Sequence, residues 1–269
     1  MIDLNHSSGA KIAPLTLCDE INAIIDAGIL RRREAEKKRT YLGASMLGDP
    51  CGRKLCYDFG GYPIDAGREL TARTVRIFDI GHGMEDAMAE AIDSEQDKVF
   101  KNAAAQWFAD GGFQLLTKNS KGEQFGWEAL DGQVQGHIDG CLVAGPAFKI
   151  PLPYPSLWEA KALNKKSWSK IKKYGLKVGS ELYFNQCQIN MGYLGVFTTL
   201  FTAVNKDTEE LNHELIEYDD GRAQQLSDRA VNVIHHVKQG QLLPRAFNNA
   251  DFFLCKFCNW RKRCWELSQ

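Results

Sequence analysis

The chain of 269 residues sets 33 lysines and arginines against 34 acids, for a net charge of −1, and is 44% hydrophobic and 25% charged. That is enough apolar material for the core of one large domain or two small ones. The balance excludes binding to a polyanion by bulk charge, and no run of about 18–20 apolar residues offers a membrane span.

Residues 1–13 lack the apolar stretch of a signal peptide, so the expectation is a cytoplasmic protein of a prokaryotic or phage-infected cell, with no membrane partner. In that reducing compartment eight cysteines are to be read for metal rather than as a disulfide framework. The charge is unevenly placed. Arg31-Arg32-Arg33 with Lys37-Lys38-Arg39 is one basic block, and Lys256 with Arg261-Lys262-Arg263 is another. Between Lys161 and Lys177 lie seven lysines, counting both ends, and no acid. Each block alone reads as a solvated helix face; several on a neutral chain are also what a basic groove beside an acidic site would look like.

In chain order, Leu17, Ile21, Ile24, Ile25 and Ile29 follow helical spacing and predict a helix over 15–39. Residues 41–57 read as a turn-rich stretch holding Cys51 and Cys56. A second helix is predicted over 71–92, interrupted by Gly81 and Gly83. The period then changes, predicting strands over 113–117, 124–128 and 133–143 with glycine turns between them. A loop at 151–155 leads to a short strand over 156–162. Helices follow over 167–173 and 181–194, then strands over 197–204 and 213–218. The long helix predicted over 220–239 carries Ala223, Leu226, Ala230, Val233, Ile234 and Val237 on one stripe. From Pro244 the tail is short, aromatic and cysteine-rich. Helices, a run of strands, then helix, strands and helix imply an α/β fold with a mixed sheet flanked by helices.

Gly136-His137-Ile138-Asp139-Gly140 places an acid inside the strand predicted over 133–143. Twenty residues later comes Trp158-Glu159-Ala160-Lys161. On a strand Glu159 and Lys161 share a face, because side chains alternate with period two. A paired strand could bring Asp139 opposite them, so that two carboxylates and a lysine converge. Carboxylates in an apolar setting need a partner or a purpose. One purpose is to hold Mg²⁺ or Mn²⁺ for phosphodiester hydrolysis, with the lysine serving the attacking water. Taken alone, the D…E-x-K pattern is a common accident in a chain this rich in charge.

In their setting these residues resemble motifs II and III of the P-D-(D/E)-x-K nuclease superfamily, in its RecB-like and lambda-exonuclease-like branch. That branch carries G-x-x-x-(H/E) on an upstream helix, and Gly81-His82-Gly83-Met84-Glu85 fits it with Glu85 in the ligand position. His82, near it on the same helix face, is read as either a neighbour of the metal shell or a structural histidine. The branch also carries Q-x-x-x-Y downstream, matched at Gln186, with Asn190 where tyrosine is expected and Gln188 a weaker rival. The resemblance implies a restriction-endonuclease-like core. In it Glu85, Asp139, Glu159 and the Ala160 carbonyl bind metal, Lys161 serves the water, and Gln186 orients the water or the phosphate.

Cys255, Cys258 and Cys264 form C-x₂-C-x₅-C, and a fourth ligand must come from elsewhere. Cys51 is the leading candidate and Cys56 the second, while Cys18, Cys141 and Cys187 sit in apolar patterns as buried small side chains. Four thiolates suit zinc, although zinc ribbons usually pair two C-x₂-C knuckles. The arrangement, with the C-x-R-x-x-x-Y pattern at Cys51, Arg53 and Tyr57, resembles the iron–sulfur clasp of RecB-like CRISPR-associated nucleases and AddB-type subunits. It implies a 4Fe–4S cluster on Cys51, Cys255, Cys258 and Cys264, closing a loop of about 200 residues as a structural staple.

The expected organisation is a helical segment over 1–40, a nuclease core over 41–244 and a cysteine motif over 245–269. The expected activity is metal-dependent DNA cleavage, exonucleolytic rather than endonucleolytic, serving recombination, repair or spacer acquisition. Lys165, Lys166, Lys170 and Lys173, with Trp168 and Tyr174 interleaved, would track a single strand or a frayed duplex end by charge and stacking. Ala44-Ser45, Gly81-His82 and Asn205-Lys206-Asp207 are similar to phage-encoded members, which implies a single-strand annealing protein or CRISPR adaptation proteins as partners. The alternative is a non-catalytic DNA-binding module with a structural zinc or iron–sulfur site.

Overall fold

A computed structural model describes residues 16–36, 39–77, 101–147, 149 and 151–267. The chain divides into two compact units, one of residues 1–37 with 70–78 and one of residues 38–69 with 79–269. The smaller unit holds α1 (Leu17–Ala35) and a short helix over 72–77. Arg76 pairs with Asp26 of α1, and Thr71 caps the short helix by accepting from the Thr74 amide at 3.1 Å. The apolar stripe expected on α1 is present, but Leu17, Ile21, Ile24 and Ile25 of it are exposed. The helix predicted over 71–92 is seen only through residue 77; Gly81, His82, Gly83 and Glu85 lie outside the described residues.

In the larger unit the elements run β1 (Leu42–Gly43), α2 (Ala44–Leu47), α3 (Gly52–Phe59), α4 (Lys101–Asp110), β2 (Gln114–Leu116), β3 (Gly126–Ala129), β4 (Val134–His137) and β5 (Gly140–Ala144). They continue as β6 (Ser156–Leu163), α5 (Lys165–Gly179), α6 (Glu181–Leu194), β7 (Thr198–Asn205), β8 (Leu211–Glu217), α7 (Asp220–Lys238) and α8 (Phe253–Lys256), ending in one π-helical turn, Arg263–Leu267. The fold is therefore mixed α/β, with its strands in two sheets. One has the order β1-β4-β3 and the other β2-β5-β6-β7-β8. In the larger sheet only β6 and β7 run parallel. The connection between them carries α5 and α6, as a parallel pair requires.

Three apolar clusters hold these layers. On one face of the large sheet Leu157, Leu163, Phe201 and Ala203 pack with Trp168 and Ile171 of α5 and Phe184 and Cys187 of α6. On the other, Trp158, Ala160, Leu200 and Val204 pack with Phe108 of α4. β6 thus buries both faces, its odd and even residues going to different clusters. The third cluster joins the small sheet to α2, α3 and α7, with Ile189 of α6 reaching into it. Ala223, Leu226, Ala230, Val233 and Ile234 of α7 are buried, and Val237 is partly so. Each large apolar side chain buried in this way contributes roughly 1.5–3 kcal/mol.

Three expectations are corrected. The strand predicted over 133–143 is two strands, because the chain leaves the small sheet after His137 and enters the large one at Gly140. The stretch 41–57 is more than turns: α2 and α3 form there, with Leu55, Cys56 and Tyr57 buried. Helix α4 was not anticipated, and the helix predicted over 167–173 is longer, bending at Gly175 where φ is 75°. Among the described residues no helix is long and apolar enough to cross a membrane.

Candidate active site and cysteine cavity

Asp139 occupies the break between β4 and β5. β5 pairs with β6 so that Gly140 faces Trp158, and one step further along this register sets Asp139 across from Glu159. A carboxyl oxygen of Asp139 (Oδ2) accepts the Ala160 amide at 2.9 Å. The glycines flanking this acid are fixed by close approach. A β-carbon at Gly136 would lie 2.4 Å from the Trp127 indole, and one at Gly140 would lie 3.0 Å from the Leu116 carbonyl oxygen.

Glu159 is 2% exposed. Its Oε1 lies 2.7 Å from Lys161 Nζ and accepts from Gln186 Nε2 at 2.7 Å. Lys161 Nζ is 4.0 Å from Asp139 Oδ2 and 5.8 Å from the centre of the Tyr183 ring. The break, β6 and α6 therefore bring Asp139, Glu159, Lys161 and Gln186 together. A carboxylate this buried needs the ammonium and the amide donor, since an unpaired charge there would cost several kcal/mol. Cys187 lies beside them, and burial pushes its thiol well above the usual range, with Glu159 and Asp139 adding to the effect and Lys161 opposing it.

The neighbours of Gln186 on α6 have other partners. Gln188 donates to the Glu217 carbonyl at 2.9 Å and accepts the Asp219 amide at 2.8 Å, joining the end of β8 to the start of α7. Asn190 accepts from the Trp127 indole at 2.9 Å and donates to the His137 carbonyl at 3.3 Å. It stands where the sequence pattern expected tyrosine, and it fastens the small sheet to the helix that carries Gln186.

On α5, Lys165, Lys166, Lys170 and Lys173 are exposed. The turn Asn205-Lys206-Asp207 helps start this helix: Asp207 accepts the Lys165 amide at 2.7 Å, and Asn164 accepts that of Ser167 at 2.9 Å. Trp168 does not share the lysines' exposure. It is 4% exposed and donates to the Ala203 carbonyl at 3.2 Å. The stacking role expected of it is withdrawn, because it lies on the same helical stripe as buried Ile171 and belongs to the core. Tyr174, 53% exposed with Lys173 Nζ 4.9 Å above its ring, is the aromatic that α5 presents.

The second constellation is a cavity lined by Cys51, Cys255, Cys258 and Cys264, with Arg53, Lys54 and Tyr57 beside them. Cys56 faces away, fully buried against the α3–α7 core. Cys187 is buried as expected, whereas Cys141 is only partly so. The cysteine tail is also held by residues that its own pattern does not reveal. Asp65 accepts the amides of Lys262 at 2.6 Å and Arg263 at 3.2 Å, and its own amide donates to the Asn259 carbonyl at 2.9 Å. Trp260 donates to the Tyr62 carbonyl at 3.0 Å and stacks on Tyr57 at 5.9 Å. Within the cavity lining, Arg53 Nε and Tyr57 OH are buried without a hydrogen-bond partner among the described residues. Among the described residues, no three side chains of His, Cys, Asp or Glu are grouped so as to hold a metal ion.

No protein-family model matches the chain, and no curated protein matches its sequence. Solved structures with a similar arrangement include the crystal structure of SSO0001, at 14% identity and a TM-score of 0.49, covering 91% of this chain and 96% of that one. They also include an alkaline exonuclease, LHK-Exo, from Laribacter hongkongensis, at 13% identity and a TM-score of 0.43, covering 81% of this chain and 93% of that one. The same exonuclease in complex with dAMP gives 12% identity and a TM-score of 0.42, over 75% of this chain and 89% of that one. At these identities and TM-scores the case for a function rests on the side chains of the site itself.

Proposed function

We propose that the chain is a divalent-metal-dependent DNA nuclease with a restriction-endonuclease-like core, acting from DNA ends. The observation that carries this reading is the convergence of Asp139 and Lys161 on the buried Glu159 and Gln186 from three separate elements. The donor set fits a hard cation, since carboxylate oxygens suit Mg²⁺ or Mn²⁺. Asp139 and Glu159 would hold it, with the Ala160 carbonyl and Glu85 completing the shell. When bound, such a cation polarises a phosphate and lowers the pKa of water. Lys161 holds a proton donor between the carboxylates, suited to positioning the attacking water. Gln186 fixes Glu159 by its amide and orients the water or the phosphate. The exposed lysines of α5, with Tyr174, would track the strand.

The four cysteines, which line one cavity, would hold a 4Fe–4S cluster stapling the tail to α3. The orphaned Arg53 and Tyr57 donors support this over zinc alone, because inorganic sulfides add hydrogen-bond acceptors to those of the thiolates. The test is cleavage of labelled linear and covalently closed DNA, single- and double-stranded, with and without Mg²⁺ or Mn²⁺. Metal-dependent cutting of linear DNA alone is the expected result. Binding without cleavage would favour a DNA-binding module, and equal rates on closed duplex circles an endonuclease. Anaerobically purified protein should be brown and contain iron and labile sulfide; full zinc occupancy without iron would reject the cluster.

A further inference from the structure

The clasp carries a surface that neither site uses. Phe253 and Phe257, one helical turn apart on and just after α8, are 69% and 63% exposed. Their rings meet edge to face at 5.2 Å. Phe252 is 43% exposed and stacks on Phe247 at 4.2 Å. Residues 252–263 contain Lys256, Arg261, Lys262 and Arg263 and no acid. Of these, Arg261 is held by Asp251 and the Ala250 carbonyl, and the Arg263 guanidinium lies over the Tyr62 ring. Lys256 and Lys262 are exposed.

Exposing rings of this size to water is unfavourable, so the surface calls for an occupant. Two features select its chemistry. A protein–protein interface is rich in aromatics but depleted of lysine at its centre, and here Lys256 sits between Phe253 and Phe257 in the chain. Aromatic faces interleaved with cations match an unpaired nucleic-acid strand, whose bases stack while its phosphates meet the ammonium groups.

We infer that Phe253, Lys256 and Phe257 form a docking platform for single-stranded DNA on the cysteine clasp. The inference rests on the nuclease reading and names the surface that receives the unpaired strand of its substrate. It adds stacking aromatics to the exposed Tyr174 of α5, since Trp168 is buried.

The experiment measures binding of a fluorescein-labelled oligo-dT strand by anisotropy, in EDTA, with the full-length, iron-loaded protein. Replacing both Phe253→Ala and Phe257→Ala should raise Kd by about tenfold or more with little change in salt dependence, while Phe253→Tyr with Phe257→Tyr should restore binding. Lys256→Gln should instead flatten the log–log salt slope by up to about 0.7. In the wild type, hydrogen exchange of the peptide over 252–257 should slow on adding the strand, a readout that does not depend on any variant folding. Unchanged affinity of the alanine pair, with iron content and unfolding temperature intact, overturns the platform and leaves the nuclease reading standing. So does a concentration-dependent dimer that the alanine pair abolishes, which would assign the surface to a second copy of the chain. A wild-type protein that neither binds the strand nor cuts linear DNA with metal overturns both.

Discussion

Glu159 and Lys161 owe their places to a strand ladder, whereas Cys51 and Cys255 are brought together by a loop closed across about 200 residues. In the first region the pairing of β5 with β6 sets Asp139 against Ala160, and α6 lays Gln186 on Glu159. The charges there satisfy one another, so the region holds its shape through its own hydrogen bonds. In the second, Asp65 and Trp260 fasten the tail, but Arg53 and Tyr57 retain unpartnered donors. The first region pairs its charges within the protein, whereas the second leaves two buried donors without a partner among the described residues. Chemistry and stability should therefore separate between them.

The largest effect expected is on turnover. Lys161→Ala should reduce single-turnover cleavage by on the order of 10²–10⁴ while binding persists; a loss below about tenfold, or 1.4 kcal/mol, would place Lys161 outside the chemistry. The contrasting perturbation is Cys51→Ser, which should bleach the protein and cost up to about 5 kcal/mol of stability, by analogy with a crosslink closing a long loop. Cys56→Ser should leave iron content unchanged, and iron titration of the two variants decides between them. Removing Lys165, Lys166, Lys170 and Lys173 together should flatten the salt dependence of DNA binding by up to about 0.7–0.9 in log–log slope per lost contact. No change would make them a solvated face.

Two smaller effects test the frame around the first region. Asn190→Ala strands the Trp127 indole and the His137 carbonyl, and should cost about 1–3 kcal/mol in urea unfolding. His213, an exposed position of β8 on the far side of the large sheet with Thr202 at 3.0 Å, has its pKa lowered by partial desolvation. The unfolded chain then takes up the proton first, so stability should fall as pH drops through the ordinary value of 6.5 and level off below the folded value. His213→Gln should flatten that dependence in unfolding temperature; an unaltered profile would show that another group is responsible.

Much of the first region was legible. Period-two alternation put Glu159 and Lys161 on one face, and the resemblance to the Q-x-x-x-Y pattern marked Gln186 on a segment read as helical. Asn190 looked like a departure from a pattern, because its partners Trp127 and His137 are more than fifty residues away. Gln188, the weaker rival of Gln186 by that pattern, is engaged instead by Glu217 and Asp219.

By itself the sequence determined the elements whose signal is local: the stripe of α7, the span of α6, the alternation of β6 and the C-x₂-C-x₅-C spacing. Each depends on residues within a few turns or steps of one another, where backbone geometry alone fixes which side chains share a face. Only the tertiary structure decided that Asp139 sits in a break between two sheets, that Trp168 is core, that Cys51 rather than Cys56 faces the other three thiols, and that Asp65 caps the tail. Those outcomes rest on contacts between segments far apart in the chain, and no local period encodes which distant surface a side chain will meet.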